Sequence, residues 1–209
     1  FERTRGRNLP PWDPNSYWTY DASWAQASNT PFRLYKQNQH EGGISSPLIV
    51  HWPAGLESKS GSISRQPAHL IDFMATFLEL GNAKYPEKIN DRLIDPLEGR
   101  SLVPIFKNEE RKGHETLYFH FGMDRALRQG KWKIVSAKGG EGELYNLEKD
   151  RTELNDLSKE FSKRVKKMSE KWFDIAKNKE RLNPNLLKLP KTEIKSLSFR
   201  KDTSEQLSD

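Results

Sequence analysis

Between Thr116 and Leu147 four short runs of strand-forming residues follow one another: Thr116 to Phe121, Arg125 to Arg128, Lys131 to Ala137 and Glu143 to Leu147. They are separated by Gly122-Met123-Asp124, by Gln129-Gly130 and by a loop containing Gly139-Gly140. Glycine turns at such spacing predict an antiparallel meander. Phe161, Val165, Met168, Trp172 and Ile175 then recur at steps of four and three between charged faces. That stripe predicts an amphipathic helix lying across one side of the meander. Thr116 to Asn178 is therefore expected to bury its own stripe and to fold as a unit.

The first half has a different pattern. Phe1 to Thr30 reads as a loop, broken by Pro10, Pro11 and Pro14 and rich in aromatic residues. Pro47-Leu48-Ile49-Val50-His51-Trp52, bounded by Gly43 and by Pro53 with Gly55, reads as a buried and parallel strand, with His51 in the core. Leu70, Ile71, Phe73, Met74, Phe77, Leu78 and Leu80, stopped by Gly81, predict a helix with a broad buried face. Asn82 to Gly113 reads as loop. Strand followed by helix is the α/β unit. The expected fold class is thus α/β: residues 1–112 form the last piece of a larger sheet domain. A small α+β domain with a four-stranded antiparallel sheet and a C-terminal helix follows over 113–181, then a polar tail over 182–209. Strand Leu48 to Trp52 would need partner strands from outside the chain, so the chain alone is expected to expose an apolar edge and associate.

Composition narrows the functional classes. Across 209 residues only 34% are hydrophobic and 31% are charged, so the chain builds one sizeable core or two small ones beneath a heavily solvated surface. The net charge of +6 suits an anionic substrate. It does not point to nucleic acid, because the lysines alternate with glutamates on helical and tail segments and no zinc, RRM or KH signature accompanies them. There is no cysteine, which excludes disulfides, cysteine nucleophiles and thiolate metal sites in this chain. No apolar run approaches the ~20 residues of a membrane span, and no signal peptide opens the sequence. A chain beginning at Phe1 is expected to be a processed or truncated product.

The segment Arg33 to Pro53 places a lysine, a histidine and an acid directly before two glycines and an apolar run. Lys36-Gln37-Asn38-Gln39-His40-Glu41-Gly42-Gly43-Ile44, with Pro47-Leu48-Ile49-Val50 and Trp52-Pro53, resembles the second-half signature of type I sulfatases. Other pieces agree in order: His69 to Thr76 resembles the family's next helix, and Pro96-Leu97-Glu98-Gly99-Arg100-Ser101-Leu102 the loop after it. Arg125-Ala126-Leu127-Arg128 through Trp132-Lys133 resembles the hairpin of its small C-terminal domain. Glu143 to Leu147, Asp150 and Glu153 to Leu157 resemble that domain's last strand and the approach to its helix. The resemblance runs from about Asn15 to Asn178, and the aromatic lead-in Asn15 to Lys36 looks like the bacterial arylsulfatase branch.

The resemblance implies the C-terminal part of an alkaline-phosphatase-like sulfatase sheet domain. In the complete protein it implies hydrolysis of sulfuric esters, aryl or carbohydrate sulfates, through a formylglycine nucleophile and Ca2+ or another divalent metal. The modified Cys or Ser, the calcium ligands and the histidine that protonates the leaving group all lie outside this chain, so the chain alone is expected to be inactive and to need the N-terminal part of the catalytic domain as its partner. Periplasmic or extracellular location is favoured. Lys36 matches the sulfate-contacting lysine, and an ammonium in a water-poor pocket would stabilise charge on the sulfate oxygens. His40 contacts substrate or packs at the pocket rim. Glu41 is expected to fix the loop by accepting backbone hydrogen bonds, and Gly42 and Gly43 to permit close backbone approach or positive φ. Ser45 stands where many relatives have arginine, which puts any ion pair built there in doubt. His120 and Arg125 would reach the active-site mouth, and Trp18, Tyr20 and Trp24 would form an aromatic wall selecting the organic part of the ester. Two other readings stay open: a phosphonate or phosphodiester hydrolase of the same superfamily, and a non-catalytic module that binds sulfated glycans.

Overall fold

The computed structural model describes residues 2–5, 10, 13, 14, 17–19, 22–57 and 61–180. In chain order the elements are β1 (Glu2–Arg5), β2 (Tyr17–Thr19), α1 (Ala22–Asn29), the single turn α2 (Glu41–Ile44), α3 (Asp72–Leu80), β3 (Lys88–Ile89), β4 (Arg92–Leu93) and the turn α4 (Val103–Phe106). After these come β5 (Leu117–Phe121), β6 (Asp124–Gln129), β7 (Trp132–Ser136), β8 (Glu143–Asn146) and α5 (Ser162–Lys179). Two compact units result: residues up to Pro47 join those from Thr116 onward, and Leu48–Glu115 form the second. This grouping differs from a sequential division at 112, because Arg33, His40 and Glu41 bond directly to the sheet.

The first unit is built on the four-stranded meander β5-β6-β7-β8. Phe121 pairs with Asp124 and Gln129 with Trp132, which leaves two-residue turns. Each turn begins with a glycine, Gly122 at φ +58° and Gly130 at φ +56°, where a tight hairpin needs left-handed backbone. Alternation along the strands then creates two distinct faces. On one, Leu127, Ile134 and Leu144 pack against Met168, Trp172 and Ala176 of α5. The indole of Trp172 stacks on Tyr118 with centroids 5.1 Å apart and donates to the Phe119 carbonyl at 3.0 Å. On the other face lie Ala126, Val135, Tyr145 and Leu147, with Phe119 beside them. The expected sheet and its amphipathic helix are both present. The segment before Pro31 departs from the loop reading, since it holds the antiparallel pair β1-β2 and the helix α1. The prolines that suggested a loop fall between those elements, and Ala-Ser-Trp-Ala-Gln-Ala-Ser favours helix.

The second unit corrects two expectations. Leu48 to Trp52 does not form the expected buried strand in this chain; it is exposed, as expected without partner strands, with Ile49 88% exposed and His51 exposed as well. A strand needs a neighbour for its backbone donors and acceptors, and none pairs with it among the described residues. α3 forms as expected, but its apolar stripe is turned outward, with Met74 53% and Phe77 66% exposed. The side that is buried is polar. Asp72 and Thr76 are 0% and 3% exposed, and they hold the helix through hydrogen bonds rather than through apolar packing. Within the segment read as loop, β3 and β4 form a minimal hairpin around Asn90-Asp91, both at positive φ.

Candidate functional site

The Lys36 loop is fastened to the sheet face opposite α5. Arg33 Nη1 donates to Glu143 Oε2 at 3.1 Å, to Tyr145 Oη at 2.6 Å and to the Glu153 carbonyl at 3.4 Å. From there the chain curls back on itself: Gly42 N–H donates to the Arg33 carbonyl at 2.9 Å, and Gly43 N–H to the His40 carbonyl at 2.8 Å. A Cβ on Gly42 would run into the Leu34 carbonyl oxygen, and one on Gly43 into that of Asn38. The two glycines are thus required by close backbone approach. Lys36 lies at the exposed apex of this loop.

Beneath the loop, four charged side chains are interlocked. Lys133 of β7 is fully buried, and its ammonium lies 2.9 Å from Glu41 Oε1 and 2.8 Å from Glu153 Oε1. Arg151 donates to the other Glu41 oxygen at 3.0 Å and to Ser45 Oγ at 3.1 Å. The backbone N–H of Glu41 closes the circuit on Glu153 Oε2 at 2.7 Å. Burial alone would raise the Glu41 carboxyl, but Lys133 and then Arg151 overcome that and hold it below its ordinary value. Glu41 therefore fixes the loop as expected, though through buried ion pairs instead of backbone hydrogen bonds. Ser45 lies beside an arginine after all, Arg151, 106 residues further along the chain.

His40 belongs to the same foundation. Its ring is 1% exposed, edge-on to Tyr145 with centroids 6.4 Å apart, and its Nε2 lies 3.1 Å from Glu143 Oε2. In this chain the ring thus packs beneath the loop. Burial would raise the Glu143 carboxyl too, yet hydrogen bonds from Tyr145 and His40 and the charge of Arg33 bring it below its usual range.

The other expected site residues do not gather around Lys36. His120 and Arg125 project from the α5 face of the sheet, the opposite side from the loop, because each shares its strand parity with residues that meet α5. His120 bonds Glu180 at 2.8 Å and the Gly122 carbonyl at 3.0 Å. Trp24 is 54% exposed on α1. Tyr20 and the tail 182–209 lie outside the described residues, and for Trp18 only the backbone is described. Among the described residues no group of three or more His, Asp or Glu could hold a metal ion.

Sequence reasoning missed the residues that build the site from below. Lys133 carried a usable signal: it shares its strand face with Val135, so alternation placed a lysine at an inward position. Glu153 and Arg151 carried no periodic signal, since they sit in an irregular segment, although Glu153 opens the run that resembles the approach to the family's helix. The second unit has a comparable hub in Asp72. Its carboxylate accepts from His69 N–H at 2.8 Å, Arg100 N–H at 2.9 Å and Arg111 Nη2 at 2.9 Å, and meets His114 Nε2 at 2.5 Å. Burial pushes this carboxyl up, but the combined donors hold it below its usual value.

Residues 32–178 match the family model described as N-sulphoglucosamine sulphohydrolase, C-terminal. The chain is 32% identical over 171 residues to an uncharacterized sulfatase of Schizosaccharomyces pombe, covering 76% of this chain and 30% of that protein. It is 26% identical over 149 residues to a sulfatase of Formosa agariphila, covering 68% of this chain and 26% of the relative. It is also 34% identical over 110 residues to the steryl-sulfatase of Mus musculus, covering 53% of this chain and 16% of that protein. In fold it is similar to the crystal structure of Ps i-CgsB, with a TM-score of 0.58 and 24% identity, over 79% of this chain and 38% of that one. The chain thus spans 30% or less of the length of these curated relatives and 38% of the Ps i-CgsB chain.

Proposed function

This chain belongs to the sulfatases, whose C-terminal part it matches over residues 32–178, and on that premise we propose that in the complete protein it serves hydrolysis of sulfuric esters, with Lys36 holding the sulfate group. The observation that carries this reading is the contrast within one loop. Lys36 is exposed, and no partner holds it among the described residues, while the loop beneath it is clamped by Glu41, Lys133 and Glu153. A charge presented on an immobile base costs little reorganisation when negative charge develops, which is the condition for electrostatic catalysis. The ammonium would neutralise the non-bridging sulfate oxygens and the charge growing on the bridging oxygen as the S–O bond breaks.

Sulfatases in general depend on formylglycine and a metal, and in this reading the metal is Ca2+. This chain has no cysteine, none of its serines stands in the Cys/Ser-x-Pro/Ala-x-Arg setting that the resemblance calls for, and no metal cluster occurs among its described residues, so we assign both groups to the remainder of the protein. We assign to that remainder the cover for the outward-facing stripe of α3. In this reading residues 1–112 belong to the catalytic domain, with the Lys36 loop anchored on the small domain at 113–181. The organic part of the substrate is an aryl or carbohydrate group, with Trp18, Tyr20 and Trp24 as its candidate wall. The packing of His40 and the opposite-face position of His120 and Arg125 favour Lys36 alone as the sulfate contact from this chain.

The test is turnover by the complete protein. Lys36→Ala should lower kcat/KM for an aryl sulfate by about a hundredfold or more, in line with loss of a transition-state donor. It should leave thermal unfolding unchanged, because the side chain is exposed. A phosphate ester turned over faster than the matching sulfate would transfer the lysine to phosphoryl chemistry. An unchanged kcat/KM in Lys36→Ala would overturn the assignment.

A further inference from the structure

On the α5 face of the sheet, away from the Lys36 loop, a cavity of about 260 Å³ opens between β6, β7, the turn at 139–142 and α5. Arg125, Ser136 and Ser169 form its polar wall, and Ile134, Trp172 and Phe173 its apolar one. The guanidinium of Arg125 lies over Phe173 at 5.2 Å and Trp172 at 5.5 Å, and donates to Ser136 Oγ at 2.9 Å. Its Nε is buried without an acceptor. No carboxylate comes within ion-pair distance of it among the described residues, and the neighbouring Asp124 accepts from Lys138 N–H instead. Burial accordingly lowers its pKa, with Asp124 only partly opposing. A half-buried cation with so few acceptors is an unusual thing for a fold to keep, and it requires an explanation.

We propose that this cavity binds a small ring-bearing organic oxyanion, with its carboxylate or sulfate on Arg125 and its ring against Phe173 and Ile134. A guanidinium fork matches the geometry of planar oxyanions and can pair with them through two donors. The volume is below the roughly 300 Å³ at which pockets for drug-sized ligands begin, so it suits a single ring. Phe173 is 37% exposed and offers an aromatic surface. The site is separate from the sulfate-ester chemistry, because strand alternation puts Arg125 and Lys133 on opposite sides of the sheet. Its occupancy is independent of Lys36.

The experiment is amide chemical-shift titration of the full chain with sodium benzoate, sodium glucuronate, sodium acetate and neutral benzamide. Benzoate or glucuronate should shift Gly140, Gly142, Ser169 and Phe173 saturably, and whichever binds more tightly identifies the ring as apolar or hydroxylated. Acetate, which lacks the ring, and benzamide, which lacks the charge, should each bind about tenfold more weakly or worse. Arg125→Gln should weaken the preferred anion by about tenfold or more; Ser169→Phe, which fills the cavity and keeps the charge, should abolish the shifts, and Lys36→Ala should leave them unchanged. The proposal is overturned if neither ring-bearing anion gives saturable shifts at those amides. It is equally overturned if Arg125→Gln, with a well-dispersed spectrum, binds as the parent does, or if acetate binds as tightly as the preferred ring-bearing anion.

Discussion

Replacing Lys133 with methionine tests the foundation of the Lys36 loop. Lys133 and Glu153 have no side-chain exposure and Glu41 only 3%, so the substitution leaves two carboxylates facing each other with their shared cation gone. Removing one member of a buried ion pair costs about 3–5 kcal/mol, a large part of the ~5–15 kcal/mol that holds a domain together. Arg151 still contacts Glu41 from the solvent side, so Glu153 carries most of the loss. The effect should depend on pH in a definite direction. In the parent, Glu41 titrates below its unfolded value of 4.5, so its contribution is complete above that pH and is lost as pH falls through the depressed value. In Lys133→Met the buried carboxylates lose their compensating cation, a penalty borne by their charged form that falls away as acid neutralises them. The stability gap should therefore be wide at neutral pH and narrow toward acid. Urea unfolding of the chain, followed by near-UV circular dichroism, measures it at both ends. Adding Glu153→Gln to Lys133→Met should recover part of the loss, by roughly 1–3 kcal/mol of coupling. A Lys133→Met variant within about 1 kcal/mol of the parent, or a gap unchanged with pH, would refute the reasoning.

Two further substitutions probe the loop and the second unit. Gly42→Ala should cost about 1–3 kcal/mol in urea unfolding, since the added methyl meets the Leu34 carbonyl rather than a flexible side chain; in the complete protein it should also raise KM for sulfate esters by displacing Lys36. Asp72→Asn leaves the nearly buried Arg111 without its carboxylate, so amide exchange over 72–80 should accelerate by about a hundredfold or more. Because the Asp72 carboxyl is depressed from 3.8, its stabilisation of that segment is complete above this pH and is lost as pH falls, so parent and variant should converge in acid.

The meander was legible because two local signals agreed: glycine where tight turns need left-handed backbone, and a stripe of period 3.6 able to cover one face. The site was legible at its tip and hidden at its base. Lys36 and the two glycines form one contiguous segment, whereas the cluster that immobilises them joins positions about a hundred residues apart, Glu41 with Lys133 and Arg151. His120 and Arg125 illustrate a further difficulty. A hairpin's proximity to a site can be inferred from family order, but the face a side chain takes depends on register, and one residue of shift reverses it.

The outward-facing stripe of helix α3 supports the strongest remaining prediction. A helix whose polar side is buried and whose apolar stripe faces water is inconsistent with burial as the force that formed it, unless another body covers the stripe. Phe77 is 66% exposed, so Phe77→Ser should change the stability of this chain by no more than about 0.5 kcal/mol. In the complete protein, with the stripe covered, the same change should approach the ~3–5 kcal/mol of a large core truncation. Ile49→Ser, at 88% exposure, should behave in parallel, since Leu48 to Trp52 would then pair as a strand and gain the burial it lacks here. Denaturation of both forms with the same two substitutions isolates the cover, because any effect internal to this chain cancels in the difference. Equal, small losses in both contexts would mean that the stripe stays open to solvent, and the assignment of its cover to the catalytic domain would fail.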